Sequence, residues 1–238
     1  VEKEDIFSII EPLFFELFNK FGNGKKVSEF PFKKISFHDS MLQYGTDKPD
    51  LRNPIKISDV TEIFNSEEIK LDIFKKQIRK GAIVRAIPIP NGLKMPRSFY
   101  DKFNEWAKTE GANGLAYLLI TNKKDKLTGS GPIAKFFSDK EIIQITKKCN
   151  LINGDAVFFS CEKKQIAEKI SGLVRQKIAQ ELHLIKEKQF QFCWITDYPL
   201  YQYNEEEKKI DFSHNPFSMP KVSYEEFEKI DPLKILAD

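Results

Sequence analysis

The sequence is poor in cysteine and histidine, with three of each among 238 residues, and it has no long apolar run. Cys149, Cys161 and Cys193 are too few and too widely spaced for a disulfide framework or a zinc site. We interpret them as free thiols in a reducing cytoplasm. No run of about 18 apolar residues is present, which argues against a membrane-spanning helix.

Several familiar signatures of chemistry are also missing. The sequence contains no Walker A loop, no GxGxxG after a strand, no HExxH and no CxxC pair. The GSGP stretch at 129–132 is more typical of a flexible turn than of a phosphate loop. No serine or cysteine has a histidine partner by local motif, so the residues alone indicate neither a catalytic nucleophile nor a metal site.

The start of the chain, VEKEDIFSII, lacks the basic segment and cleavage site of a secretory signal, and it lacks an initiating Met. We therefore expect the chain to begin inside a longer one. The composition, 41% hydrophobic and 31% charged, is ordinary for a soluble globular protein. A formal net charge of +3 is compatible with an RNA partner without requiring one.

Apolar periodicity predicts helices and strands in a mixed order. Residues 3–21 have helical spacing, with Pro12 expected to kink or restart the helix. Ser138 and Glu141 predict a capping box. The other predicted helices are 38–44, 98–110, 139–149, 163–182 and 222–230. The predicted strands are 30–37, 81–89, 115–121, 155–162 and, less clearly, 55–60. Each of these helices has one apolar stripe, which favours an α+β fold with a two-layer sandwich in the middle of the chain.

The segments between these elements predict loops and one hairpin. Residues 46–54, TDKPDLRNP, form a charged loop that ends at a boundary near Pro54. Residues 122–131, NKKDKLTGSG, are interpreted as a surface loop. The aromatic stretch 189–203 and the segment KIDFSHNPF predict a β-hairpin, with His214 near the end of the return strand.

Two sites allow both a functional and a structural interpretation. In TDKPDLR, Asp47, Asp50 and Arg52 either lie beside a polyanionic ligand or pair with one another in a hinge loop. His214 is either a hydrogen-bonded packing residue or an imidazole aimed into a pocket. In the second case, Pro216 would stiffen the backbone by restricting Asn215.

Six segments, taken in order, resemble the bacterial type of aspartyl-tRNA synthetase, a class II enzyme. They are YGTDKPDLRNP, GLAYLLI, GPIAKF, NGDAVFF, FCWITDYPLY and SHNPFSMPK. The resemblance implies activation of L-aspartate with ATP, in the presence of Mg²⁺, and transfer to tRNA(Asp). It leaves open whether tRNA(Asn) is a second acceptor. It also implies a cytoplasmic homodimer.

The resemblance implies three parts for the chain. Residues 55–187 would be an inserted GAD domain, a two-layer α/β sandwich. Residues 1–54 and 188–238 would belong to the antiparallel-sheet catalytic domain, after the second class II motif and before the third. The anticodon-binding barrel and most ligands of ATP and Mg²⁺ would lie outside the chain, which alone should be inactive.

One residue role follows from the resemblance. The family usually has His-His before Pro-Phe, and the first histidine, which binds the amino acid, matches His214. The second position is Asn215, which cannot titrate but can still form hydrogen bonds. Asp47, Asp50 and Arg52 remain supporting candidates. A non-enzymatic tRNA-binding module, related to an amidotransferase subunit, is the alternative interpretation.

Overall fold

The computed structural model describes residues 2–123, 126–204, 207–213 and 217–237. The chain forms two compact units. We call the first the terminal unit; it contains Val1–Ser40, Asp50–Arg52 and Lys186–Asp238. The second, the central unit, contains Met41–Pro49 and Asn53–Ile185. No helix in the described ranges combines the length and apolar character that crossing a bilayer requires.

The described residues form helices and strands in a mixed order. The helices are α1 (Lys3–Phe21), α2 (Phe37–Tyr44), α3 (Thr61–Phe64), α4 (Asp72–Arg79), α5 (Arg97–Thr109), α6 (Asp139–Lys148), α7 (Lys164–Glu181) and α8 (Tyr224–Phe227). The strands are β1 (Lys26–Val27), β2 (Lys33–Ser36), β3 (Ser58–Asp59), β4 (Ala82–Ile89), β5 (Ala116–Lys123), β6 (Lys126–Ser130), β7 (Ala156–Lys163), β8 (Gln189–Phe190), β9 (Cys193–Thr196), β10 (Tyr201–Asn204) and β11 (Lys209–Phe212). The fold is therefore of the α+β kind, as predicted.

A five-stranded antiparallel sheet forms the middle of the central unit, in the order β3-β4-β7-β5-β6. Strand β7 is its central strand, and Phe159 pairs with Ala86 of β4 on one side and Ala116 of β5 on the other. Seven of the eight residues of β7 are buried, which is typical of a strand covered on both faces.

The predicted two-layer arrangement is wrong, because helices cover both faces of this sheet. Val157 and Phe159 face a core built with α3, α4 and α6. Ala156 and Phe158 face a second core, built with α5 and α7. The apolar residues of β7 do not alternate with polar ones, so both of its faces need a covering layer.

Two parts of the central unit differ from the prediction. The described residues 126–130, expected in a surface loop, form strand β6, which pairs with β5 and brings Thr121 Oγ1 and Thr128 Oγ1 within 3.1 Å. Helices α3 and α4 were not predicted. In the terminal unit, helix α1 continues through Pro12 without a restart, and a kink there stays a prediction. The predicted capping box of Ser138 and Glu141 is confirmed at the start of α6.

The terminal unit combines helix α1 with three strand pairs. Strands β1 and β8 are parallel, as are β2 and β9, whereas β10 and β11 form the predicted antiparallel hairpin. The flanks were expected to form an antiparallel sheet, so the two parallel pairs differ from the prediction. Phenylalanine rings hold helix and strands together: Phe18 lies 4.9 Å from both Phe190 and Phe192, measured between ring centroids.

Candidate functional site

His214 and Asn215, for which the family resemblance predicts contact with the amino acid, lie outside the described residues. The described residues before them are well fixed by the hairpin. Tyr201 pairs with Phe212, and their rings are 4.9 Å apart. The backbone N–H of Ser213 then donates to the carbonyl of Leu200 over 3.0 Å.

A cavity of about 300 Å³ lies in the terminal unit beside this hairpin. Its lining residues are Lys3, Phe7, Ile195, Thr196, Asp197, Tyr198, Pro199, Leu200, Ser218 and Ala237. Ser218, which follows the segment 214–216, lines this cavity, and so does Leu200, whose carbonyl accepts the hydrogen bond from Ser213. Its size is within the lower range of small-molecule sites.

Charged groups of both signs lie at the cavity. The Asp197 carboxylate accepts a hydrogen bond from Lys221 Nζ through Oδ1 and another from the Thr196 hydroxyl through Oδ2, over 2.9 Å. The bond from Lys221 holds the pKa of the Asp197 carboxyl below its ordinary value, and Thr196 and the charge of Lys3 act in the same direction. Asp197 is therefore an anion at neutral pH, with the lysine Lys3 on the cavity wall.

The apolar wall of the cavity is fixed by a buried polar contact. Phe7 of α1 lines the cavity, and its ring centroid lies 4.4 Å from that of Trp194. The indole N–H of Trp194 donates to Glu11 Oε1 over 2.7 Å, and Glu11 is buried. Helix α1 and strand β9 are thus joined by a ring contact and a charge-assisted hydrogen bond.

The structure pairs two of the three supporting candidates. Arg52 Nε and Nη2 donate to the two carboxylate oxygens of Asp50, over 2.9 and 2.8 Å. This hydrogen bond, and secondarily the charges of Asp50 and Glu187, raise the pKa of Arg52. An external polyanion would have to displace Asp50 to use the same donors. Asp47 belongs to the central unit, where it is half-buried.

Sequence reasoning missed Lys3, Asp197 and Lys221. Asp197 adopts a left-handed backbone conformation (φ 57°) just after β9, which aspartate tolerates better than most residues. The only sequence signal is an Asp between a strand and Pro199, which is a weak one.

Two other kinds of chemistry would depend on metal ligands and on the cysteine thiols. Within the described ranges, no three His, Cys, Asp or Glu side chains converge in a way that could hold a metal ion. Burial raises the pKa of Cys149 and of Cys161 to about 12, so both thiols are protonated and poorly nucleophilic at neutral pH.

Comparison with known proteins first defines the class of domain. Residues 74–171 match the sequence model of the GAD domain family. The match lies inside the central unit and includes strands β4 to β7 with helices α5 and α6. The chain therefore carries a GAD domain.

The relatives of the whole chain are synthetases. The chain is 53% identical over 228 residues to the aspartate–tRNA(Asp/Asn) ligase of Rickettsia bellii, which covers 96% of this chain and 37% of that relative. Identity is 45% over 237 residues with the ligase of the same name from Beijerinckia indica, which covers 100% of this chain and 40% of the relative. The resemblance to aspartyl-tRNA synthetases is confirmed, and the chain spans about two-fifths of the length of the curated relatives it matches.

Proposed function

We propose that this chain is part of an aspartate–tRNA ligase, which joins L-aspartate to tRNA at the expense of ATP. Identity of 45–53% over 95–100% of the chain supports this assignment. The relatives' printed names include both tRNA(Asp) and tRNA(Asn), and we propose both as acceptors. The identity extends far beyond the GAD match, which favours a ligase over a stand-alone tRNA-binding module.

The proposed organisation places the GAD domain, residues 55–187, as an insertion between two catalytic segments, 1–54 and 188–238. The two compact units support this proposal, because the terminal unit is built from both ends of the chain. The intact enzyme would be a cytoplasmic homodimer. We propose that the chain alone does not form the adenylate.

We propose that His214 contacts the bound aspartate. The cavity supports this role, because two of its lining residues are close to His214 along the chain or through a hydrogen bond: Ser218 follows it by four residues, and Leu200 is bonded to Ser213. Lys3 and Asp197 also suit an amino acid, which carries an ammonium group and carboxylates. Asn215 would supply a hydrogen bond, while Asp47, Asp50 and Arg52 would support the site indirectly.

The proposed reaction depends on positioning and electrostatics. A carboxylate oxygen of aspartate attacks the α-phosphorus of ATP, the new O–P bond forms, and pyrophosphate leaves. The attacking carboxylate is already ionised near neutral pH, so His214 need not remove a proton. A tRNA ribose hydroxyl then attacks the aspartyl carbonyl and releases AMP. We propose that most of the groups that hold ATP and Mg²⁺ lie elsewhere in the longer enzyme.

Replacement of His214 in the longer enzyme tests the contact. His214→Ala should raise the aspartate KM in ATP–pyrophosphate exchange by about tenfold or more, since a hydrogen bond to a charged group contributes roughly 1.5–3 kcal/mol. His38→Ala is the matched control, because the His38 side chain is 75% exposed. Unchanged KM and kcat for His214→Ala would contradict the proposed contact.

A further inference from the structure

A second concave surface of the terminal unit, which we call the lysine cleft, has no role in the proposed aspartate site. It has a volume of about 410 Å³ and is lined by Gly24, Lys26, Lys186, Glu187, Lys188 and Gln189. The lysines are exposed. The cleft is assembled by topology, because the parallel pair of β1 and β8 brings together segments that are far apart in the sequence.

The backbone fixes the two walls of the cleft. The N–H of Lys26 donates to the carbonyl of Lys188 over 3.1 Å, and the N–H of Ser28 donates to that of Phe190 over 3.0 Å. The N–H of Lys186 donates to the carbonyl of Arg52 over 3.3 Å. These hydrogen bonds hold the two segments together, so the lysine side chains extend from one connected piece of backbone rather than from two independent loops.

Positive charge is concentrated here. Lys25 adjoins the cleft, with its ammonium nitrogen 5.4 Å from the centroid of the Phe190 ring. With Lys26, Lys186 and Lys188 it gives four positive charges against the single negative charge of Glu187, a local balance of +3. This equals the formal net charge of the whole chain, so all other residues together are neutral.

The lysines are not neutralised by neighbouring acids. Across the part of the chain that the structure describes, none of the four forms an ion pair with a carboxylate. Glu187 also acts on Arg52, whose pKa is raised by its hydrogen bond to Asp50 and further by the charges of Asp50 and Glu187. The cleft therefore presents a positive potential to solvent.

The shape and composition suit a phosphate backbone. Gly24 has φ +71°, and nothing lies within 4 Å of where its Cβ would be, so one wall is open backbone that a ligand can approach closely. Lysine ammonium groups bind phosphates as point charges, without reading base identity. The lining residues of the cleft include no aromatic side chain on which a base could stack.

We propose that the lysine cleft binds the phosphate backbone of tRNA. The inference rests on the proposed function, in which tRNA is a substrate. It identifies a surface of this chain that would contact the RNA. A backbone contact of this kind positions the RNA and is independent of sequence.

The salt dependence of tRNA binding tests the proposal. Fluorescence anisotropy of a labelled tRNA(Asp) transcript with the 238-residue chain, between 25 and ~200 mM salt, gives the slope of log K against log salt. Lys26→Gln/Lys188→Gln should flatten that slope by about 1 to 2 and weaken binding about tenfold at low salt. Lys26→Arg/Lys188→Arg should restore both, which separates loss of charge from misfolding.

The matched control removes two exposed lysines of the central unit. Lys80→Gln/Lys164→Gln has the same net charge as the cleft variant and should keep the wild-type slope. A cleft variant with wild-type slope and affinity, or no tRNA binding by the wild-type chain at low salt, would overturn the proposal. A third outcome would also overturn the proposal: equimolar ATP displaces tRNA from the wild-type chain but not from the cleft variant. The cleft would then bind the phosphates of a nucleotide rather than those of the RNA backbone.

The ligase proposal and the cleft proposal are tested by separate measurements. Aspartate-dependent ATP–pyrophosphate exchange needs no RNA. Exchange by the longer enzyme together with an unchanged slope in the cleft variant would remove the cleft proposal alone. No exchange would remove the ligase proposal, whatever the slope.

Discussion

Asp197 joins two separate parts of the terminal unit at the wall of the cavity that Phe7 and Leu200 also line. It follows β9 in a left-handed conformation and binds Lys221, which lies 24 residues further along the chain, beyond the hairpin. Both side chains are partly exposed, at 30% and 45%, so water screens the pair. Its main role is to fix the position of the segment that ends the hairpin region.

Asp197→Asn tests this role through pH. Because the folded-state pKa of Asp197 is lowered, its contribution to stability is present above its ordinary pKa of 3.8 and is lost as pH falls through the folded value. At pH 7 the variant should therefore be less stable by at most ~1 kcal/mol, the screened value for an exposed pair. Below pH 4 the difference should shrink. Urea unfolding at several pH values measures both.

The control for this experiment is Asp101→Asn, which removes a more exposed carboxylate with an i,i+4 partner, Arg97. Its effect on the free energy of unfolding at pH 7 should stay within about 0.5 kcal/mol, because it is a surface substitution. Parallel curves for wild type and Asp197→Asn across pH 3 to ~7 would contradict the assigned interaction.

Residue-level prediction succeeded where partners are close in sequence. The two interpretations of TDKPDLR both followed from local spacing, and the Asp50–Arg52 pair spans two residues. The pairs Glu11–Trp194 and Asp197–Lys221 were not predicted, because nothing local marks a partner 183 or 24 residues away. The roles of His214 and Asn215 stay predictions.

Helix α7 packs closely against the turn after α2, and two glycines make this contact possible. A Cβ on Gly172 would lie 2.7 Å from the carbonyl oxygen of Gly45. A Cβ on Gly45 would lie 2.5 Å from the carbonyl oxygen of Glu168, and Gly45 also has φ +70°. These atoms belong to the backbone and cannot rotate away, so the contact requires glycine at both positions.

Gly172→Ala should therefore destabilise the protein, against the usual effect. In an unconstrained helix interior, alanine is more stable than glycine by about 1 kcal/mol. Here the clash with Gly45 should outweigh that gain and cost about 1–3 kcal/mol, as overpacking does. Urea unfolding followed by circular dichroism measures the change.

Gln176→Ala provides the matched control on the same helix, because Gln176 is exposed. Its effect should stay within about 0.5 kcal/mol. A Gly172→Ala variant as stable as wild type, or more stable, would contradict this prediction. It would show that α7 and the turn at Gly45 can move apart without loss of stability.

Element prediction followed the strength of the periodic signal. Helices α5, α6 and α7 and strands β4, β5 and β7 were found because each has a long apolar stripe or run. Helix α4 was missed because it is only eight residues long and has three apolar residues, Ile73, Phe74 and Ile78. Strand β6 was missed because Lys126, Gly129 and Ser130 are of residue types that are poor strand formers, and pairing with β5 overrides that preference.

At the scale of the whole chain, buried hydrogen bonds within the central unit hold the segment at which the chain passes from Arg52 into that unit. Arg175 of α7 donates from Nε to the carbonyl of Ile55 over 2.7 Å and from Nη2 to that of Asn53 over 3.0 Å. The Asn53 amide donates back to the Arg175 carbonyl over 3.2 Å. These contacts are buried, and they fix where the chain enters the unit that contains the GAD match.

Composition alone predicts an ordinary globular chain, and the periodicity of its apolar residues adds the α+β class. The family became visible through six short segments in a fixed order, because residues of a shared site and core keep their spacing. The three-layer arrangement of the central unit was not predicted, although the apolar run of β7 indicates it. The parallel pairs β1–β8 and β2–β9 depend on long-range topology, which no local pattern encodes.

Amino-acid-dependent ATP–pyrophosphate exchange tests the central claim most directly. We predict that the longer polypeptide in which this chain is proposed to lie exchanges with L-aspartate and not with L-asparagine or L-glutamate. The 238-residue chain alone should show no detectable exchange. No aspartate-dependent exchange by the longer protein would contradict the ligase assignment, and robust exchange by the 238-residue chain would contradict the proposal that the chain alone is inactive.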